Sequence, residues 1–155
     1  LTFNVTITDE SNNTWVDSFT VTVVSTGASL SVQSYDVTSD NNNDGAINKG
    51  ETIKLLVKLG NTGNSRVNKV KGTITCSNSY VSNLTNSGPY SYYMYGSTAY
   101  DYINAGTYGS LSSSSNYLGF DVSSSTPAGT VLTFNVTITD ESSNTWTDNF
   151  NLTVQ

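Results

Sequence analysis

The chain has 155 residues, of which 12 % are charged, with a formal net charge of -6 and no histidine. Six Lys and Arg against twelve Asp and Glu argue against nucleic acid as a partner, because neutralising phosphates takes clustered cations. Thr, Ser, Val, Asn, Tyr and Gly dominate, so strands and turns are expected throughout, and no stretch is long and apolar enough to span a bilayer. The length suits one ordinary domain plus a fragment. The single cysteine, Cys76, excludes an internal disulfide and reads as a small buried residue on a strand. Leu1 is not an initiator methionine. The chain therefore reads as a cut or processed piece, in which a missing signal peptide carries no weight.

Residues 1–24 and 132–155 are copies of one another. Leu1 to Ser11 returns unchanged at Leu132 to Ser142, and 18 of 24 positions are identical at an offset of 131 residues. In the second copy Leu132, Phe134, Val136 and Ile138 alternate with Thr and Asn, which predicts a strand with one apolar face. Asp140-Glu141-Ser142-Ser143-Asn144 makes a turn. The returning strand carries Trp146, Phe150, Leu152 and Val154, with Asp148 intruding on the same parity. Residues 1–24 are thus the closing hairpin of a preceding repeat, or strands donated to a neighbour. Residues 25–29 form a linker, and residues 30–155 form one repeat. A lone two-stranded hairpin is marginal in water, so the first copy is expected to need a sheet to join.

After the linker, Leu30 to Val37 alternates like a strand, and Thr52 to Leu59 is β-rich and mostly apolar. Between them lies Asp40-Asn41-Asn42-Asn43-Asp44-Gly45-Ala46-Ile47-Asn48-Lys49-Gly50-Glu51. Oxygen side chains occupy its first, third, fifth and ninth positions (Asp40, Asn42, Asp44, Asn48). Gly45 stands sixth, where the chain must turn sharply. Ala46 stands seventh, where only a carbonyl is needed, and Glu51 stands twelfth, where a bidentate carboxylate closes the site. A hard cation such as Ca²⁺ takes six to eight oxygens at that spacing. The alternative is a solvated Asn-rich turn. The flanks are strands rather than helices, so a structural Ca²⁺ is expected rather than a sensor. A second, weaker calcium candidate joins Asp140, Glu141 and Asp148.

Further strands are expected at Val67 to Thr75 after the turn Gly60 to Ser65, at Tyr80 to Leu84, at Tyr100 to Asn104 and at Tyr117 to Val122. Short strands at this spacing predict an all-β, immunoglobulin-like antiparallel sandwich in tandem repeat, although no cysteine pair or strand-C tryptophan marks a true immunoglobulin domain. The stretch with Tyr90, Tyr92, Tyr93, Tyr95, Tyr100 and Tyr102 offers flat apolar faces with polar tips. It suits three roles: covering the sandwich's own edge, a subunit interface, or contact with a glycan.

The Asp-x-Asn-x-Asp-Gly-x-Ile-Asn-x-Gly-Glu-Thr-Ile run resembles, together with Leu59-Gly60-Asn61-Thr62-Gly63, Ile103-Asn104-Ala105-Gly106-Thr107, Pro127-Ala128-Gly129-Thr130 and the Thr-Asp…Trp-Thr-Asp hairpin, a known family. It is similar to the immunoglobulin-like, cell-adhesion-type repeats of secreted bacterial proteins, which stand in tandem in surface proteins or beside secreted hydrolases. The resemblance covers about residues 30–155 and departs at Lys49 and in the Tyr-rich insertion. It implies an extracellular or cell-surface β-sandwich spacer or adhesive module, often with Ca²⁺. Its partners would be neighbouring copies of the same repeat, in tandem or by strand donation, or a polysaccharide or cell surface.

Catalysis has little footing. The serines have no histidine base, and Cys76 has no histidine partner. Asp101, Asp121, Asp140, Glu141 and Asp148 are the only material for a glycosidase-like carboxylate pair, so no enzyme is expected. The main expectation is a calcium-stabilised structural repeat of a stalk, fibre or adhesin. The alternative is a carbohydrate- or surface-binding accessory module of a secreted hydrolase. Sequons stand at Asn4, Asn12, Asn83, Asn135 and Asn151.

Overall fold

The computed structural model describes residues 1–23, 27–88, 90–91, 102–111 and 117–155. Among these residues every regular element is a strand. They are β1 (Thr2–Thr8), β2 (Thr14–Thr20), β3 (Leu30–Ser39), β4 (Thr52–Asn61), β5 (Val67–Asn68), β6 (Lys71–Thr75), β7 (Val81–Thr85), β8 (Tyr90–Ser91), β9 (Tyr102–Ile103), β10 (Tyr108–Ser110), β11 (Leu118–Val122), β12 (Val131–Thr139) and β13 (Thr145–Thr153).

Two antiparallel sheets face each other. In the first, β4 is central, with β3 along one side, β10 and β11 along the other, and β7 outside β11. The second runs β13-β12-β6-β8. Alternation on each strand sends one face inward. Ile53, Leu55, Val57 and Leu59 of β4 and Phe120 of β11 meet Leu132, Phe134, Val136 and Ile138 of β12, all of them buried. The rings of Phe120 and Phe134 lie 4.9 Å apart across the two layers, and Phe134 stacks on Phe150 at 5.1 Å. The module is therefore an immunoglobulin-like β-sandwich, as the strand spacing implies.

Asn61, at the end of β4, is the polar corner of this core. It is 1 % exposed. Its amide donates to the carbonyls of Ser65 and Ile103, and its Oδ1 accepts the N–H groups of Ser29 and Gly63. Full pairing is what makes such burial tolerable. Gly63 lies so close to this corner that a Cβ would stand 2.2 Å from the Gly27 carbonyl oxygen.

Three features differ from expectation. The strand expected from Val67 to Thr75 is broken at Lys69, whose φ is 47°. A single straight strand could not pair both with β9 and with β12, and the break lets β5 join the former and β6 the latter. The short β10 was not foreseen. Tyr108-Gly109-Ser110 has the composition of a turn, and becomes a strand because β4 offers it an edge. Cys76 follows β6 rather than lying within it, half-buried against the core.

The two sequence copies form the same hairpin twice. In β1–β2 Thr2 faces Thr20, and in β12–β13 Thr133 faces Asn151, the same register. Asp9 and Asp140 each accept N–H groups across their turns, from Ser11 and Asn13 and from Ser142 and Asn144. Their surroundings differ completely. Phe134 is 0 % exposed, while its counterpart Phe3 is 46 % exposed. Among the described residues, β1 and β2 form a sheet of their own.

Candidate metal site

The loop from Asp40 to Glu51 joins β3 to β4. Antiparallel pairing of those strands, with Ser39 opposite Lys54, brings its two ends together. Its second half is stitched to the rest of the module. Ile47 is buried, and its carbonyl accepts the N–H of Gln155 at 2.8 Å. The N–H of Gly50 donates to the carbonyl of Val122 at 2.9 Å, and the N–H of Val122 donates to that of Glu51 at 2.8 Å. Gly45 and Gly50 turn the chain through φ of 78° and 79°, a region open to glycine at little cost. Asn41, which the twelve-position pattern leaves unassigned, closes the loop by accepting the Thr52 N–H at 3.1 Å.

Asp40 and Glu51 are both buried. Asp40 Oδ2 accepts the Gly45 N–H at 2.8 Å, whereas its Oδ1 is buried without a hydrogen-bond partner. Glu51 Oε2 accepts the Asn48 N–H at 3.2 Å. Asp44 is exposed and accepts the Ala46 N–H at 2.8 Å, with the Asn42 and Asn48 amides beside it at 3.0 and 3.2 Å. Those bonds, the Ala46 N–H foremost, hold its carboxyl below the ordinary range. Among the described residues no group of three or more His, Cys, Asp or Glu side chains is arranged to hold a metal ion. The loop's donor set is of another kind, mixing two buried carboxylates with amide, exposed carboxylate and backbone oxygens. That mixture suits a hard, oxygen-seeking cation rather than a transition metal. A buried carboxylate oxygen without a hydrogen-bond partner is costly, which makes Asp40 Oδ1 the loop oxygen with most to gain from a cation.

No family model matches the chain, and no curated protein matches it. Among solved structures it is similar to a Niemann-Pick type C2 protein from Japanese carpenter ant, at 15% identity and a TM-score of 0.41, covering 86% of this chain and 100% of that one. The assignment as a sandwich rests on the sheets themselves.

The remaining candidate residues lie apart from the loop. Tyr92, Tyr93, Tyr95 and Tyr100 fall outside the described residues, and of Tyr90 only its place in β8 is described. Tyr102 is half-buried in β9, with the Arg66 guanidinium 4.9 Å above its ring. Asp140 serves its own turn. Glu141 pairs with the Asn68 amide and, at 3.2 Å, with Lys69, which together hold its carboxyl below the ordinary range. Asp148 accepts the Val32 N–H at 2.7 Å, so its intrusion into an apolar face is a tie between β13 and β3. Asp121 accepts from the Thr52 hydroxyl at 2.6 Å and from the Asn83 amide. These four acidic residues are thus engaged separately, while Asp101 falls outside the described residues.

Proposed function

We propose that this chain is a structural repeat of an extracellular stalk, fibre or adhesin, and that Ca²⁺ held by Asp40, Asn42, Asp44, the Ala46 carbonyl, Asn48 and Glu51 stabilises it. The observation that carries the reading is the buried, unpartnered Asp40 Oδ1, on the residue that opens the twelve-position pattern. A cation there would neutralise Asp40, Asp44 and Glu51 together. It would clamp a loop already tied to Val122 and Gln155, and so to the ends of two further strands, β11 and β13. The surrounding sandwich suits a mechanical role, since its described residues form a continuous core between paired sheets. The partners would be neighbouring copies of the same repeat.

A ligand that binds only the folded state stabilises it by mass action, about 2.7 kcal/mol at a hundredfold excess over its dissociation constant. For a module of this size that corresponds to roughly 5–10 °C in Tm. Glu51→Gln keeps an oxygen to accept the Asn48 N–H and removes the charge. It should abolish most of the calcium-dependent rise in Tm and leave the Tm in chelator nearly unchanged. Scanning calorimetry of both proteins in calcium and in chelator decides the matter. Equal losses in the two conditions would refute the calcium assignment.

A further inference from the structure

The first hairpin presents the same inward face as the second, but nothing among the described residues covers it. Trp15 and Ile7 are 55 % and 60 % exposed, while Ile138, the counterpart of Ile7, is 0 % exposed. Differences between the copies concentrate where they do not matter to that face. Val16, Ser18 and Thr20 replace Thr147, Asn149 and Asn151 at outward, exposed positions, and Asn12 replaces Ser143 in the turn. On the inward parity of the strands and their continuation to Val23, the copies differ only at Val21, opposite Leu152. Asp17, awkward on an apolar face, is kept opposite Asp148. In the second copy that carboxylate accepts the Val32 N–H, and in the first, among the described residues, it accepts the N–H of the adjacent Ser18 alone.

We propose that the β1–β2 face is the closing layer of a second sandwich, and that its occupant is a polypeptide with the sequence of residues 28–131. This deepens the structural-repeat reading and is independent of the calcium site. Described residues between 28 and 131 cover the face of β12–β13 here, and the two hairpins carry nearly the same residues on that face. The contacts carry over by register. Asn4 to Thr8 would pair with a copy of Lys71–Thr75, as Asn135 to Thr139 do. Phe3 would meet a copy of Phe120, and Asp17 would accept the N–H of a copy of Val32.

Self-association of this chain does not supply that occupant. Each chain carries two hairpins and one set of strands to seat them, so exchange between chains leaves as many hairpins unseated as before. Two β1–β2 faces pressed together would cover their apolar residues, yet would leave Asp17 without its N–H and the outer edge of β1 without a strand. A neighbouring repeat in the same polypeptide supplies the seat directly, with Val131 of one repeat followed by Leu1 of this chain just as Val131 is followed by Leu132.

The test extends the whole 155-residue chain by adding residues 28–131 ahead of Leu1. Amide hydrogen exchange is followed in the segments Asn12–Val23 and Ser143–Val154, which differ in sequence and can be told apart. In the original chain the first should exchange freely while the second is protected. In the extended chain both should be protected, the first by about a thousandfold more than before. Phe3→Asp in the extended chain should remove that gain and leave Ser143–Val154 protected. Unchanged exchange of Asn12–Val23 on extension overturns the proposal, as does protection that survives Phe3→Asp. Protection of Asn12–Val23 in the original chain, with a mass that doubles at higher concentration, overturns it in favour of a second copy. None of these outcomes bears on the calcium response of Glu51→Gln, so the two readings fail separately.

Discussion

Single polar groups decide much of this module, and each does so through the partner it lacks or holds. Asp40 Oδ1 has none, and that is the physical case for a cation. Asp121 is the opposite. The Thr52 hydroxyl and the Asn83 amide hold its carboxyl below the ordinary range. A carboxyl whose folded pKa is depressed contributes stability above its unfolded pKa and loses it as pH falls through the folded value. Asp121→Asn should therefore cost about 1 kcal/mol at pH 7, in keeping with a half-exposed hydrogen-bonded charge. The gap between wild type and variant should close as pH falls below the ordinary carboxylate range. Urea unfolding of both proteins at pH 7 and pH 3 checks the sign. Exposed charge pairs such as Lys58–Asp36, 2.6 Å apart, are expected to matter less, since solvent and salt screen them.

At the scale of elements, the two hairpins are an experiment already present in the chain. They share sequence, register and turn chemistry, and differ in what lies opposite. Burial of Phe134 between Phe120 and Phe150 predicts a loss of about 3–5 kcal/mol for Phe134→Ala, the transfer free energy plus the cavity left behind. Among the described residues Phe3 stacks only on Phe19, at 5.2 Å within its own hairpin. Phe3→Ala should therefore change the main unfolding transition by no more than about 0.5 kcal/mol. Chemical denaturation followed by circular dichroism compares the two directly, and similar losses would mean that β1–β2 is part of the same cooperative unit. Much at this scale was legible beforehand. Alternating Leu132, Phe134, Val136 and Ile138 with an Asp-capped turn specifies a hairpin from local chemistry, and Gly45 and Gly50 mark where the loop between β3 and β4 must bend. The break at Lys69 and the strand β10 were not legible, because each depends on which distant edge is free to accept a partner.

For the molecule as a whole, the sandwich of residues 27–155 has its own core, both sheets and the candidate metal loop. A chain that starts at Gly27 should therefore melt within about 2 °C of the full chain and keep the same calcium increment, since a hairpin with no sheet to join adds little. Calorimetry of the shortened and full chains tests this, and a large loss on shortening would show that β1–β2 braces the sandwich. On that outcome the face of β1–β2 would act only in the longer assembly proposed above.

By itself the sequence determined the all-β character, both hairpins and the twelve-position loop, since these follow from side-chain alternation, turn residues and spacing within a few neighbours. The tertiary structure alone decided which hairpin is covered, why Asp148 sits on an apolar face, and that one oxygen of Asp40 is buried without a partner. Burial is a property of what stands across the interface, and identical stretches of chain carry no information about which of them has found its other layer.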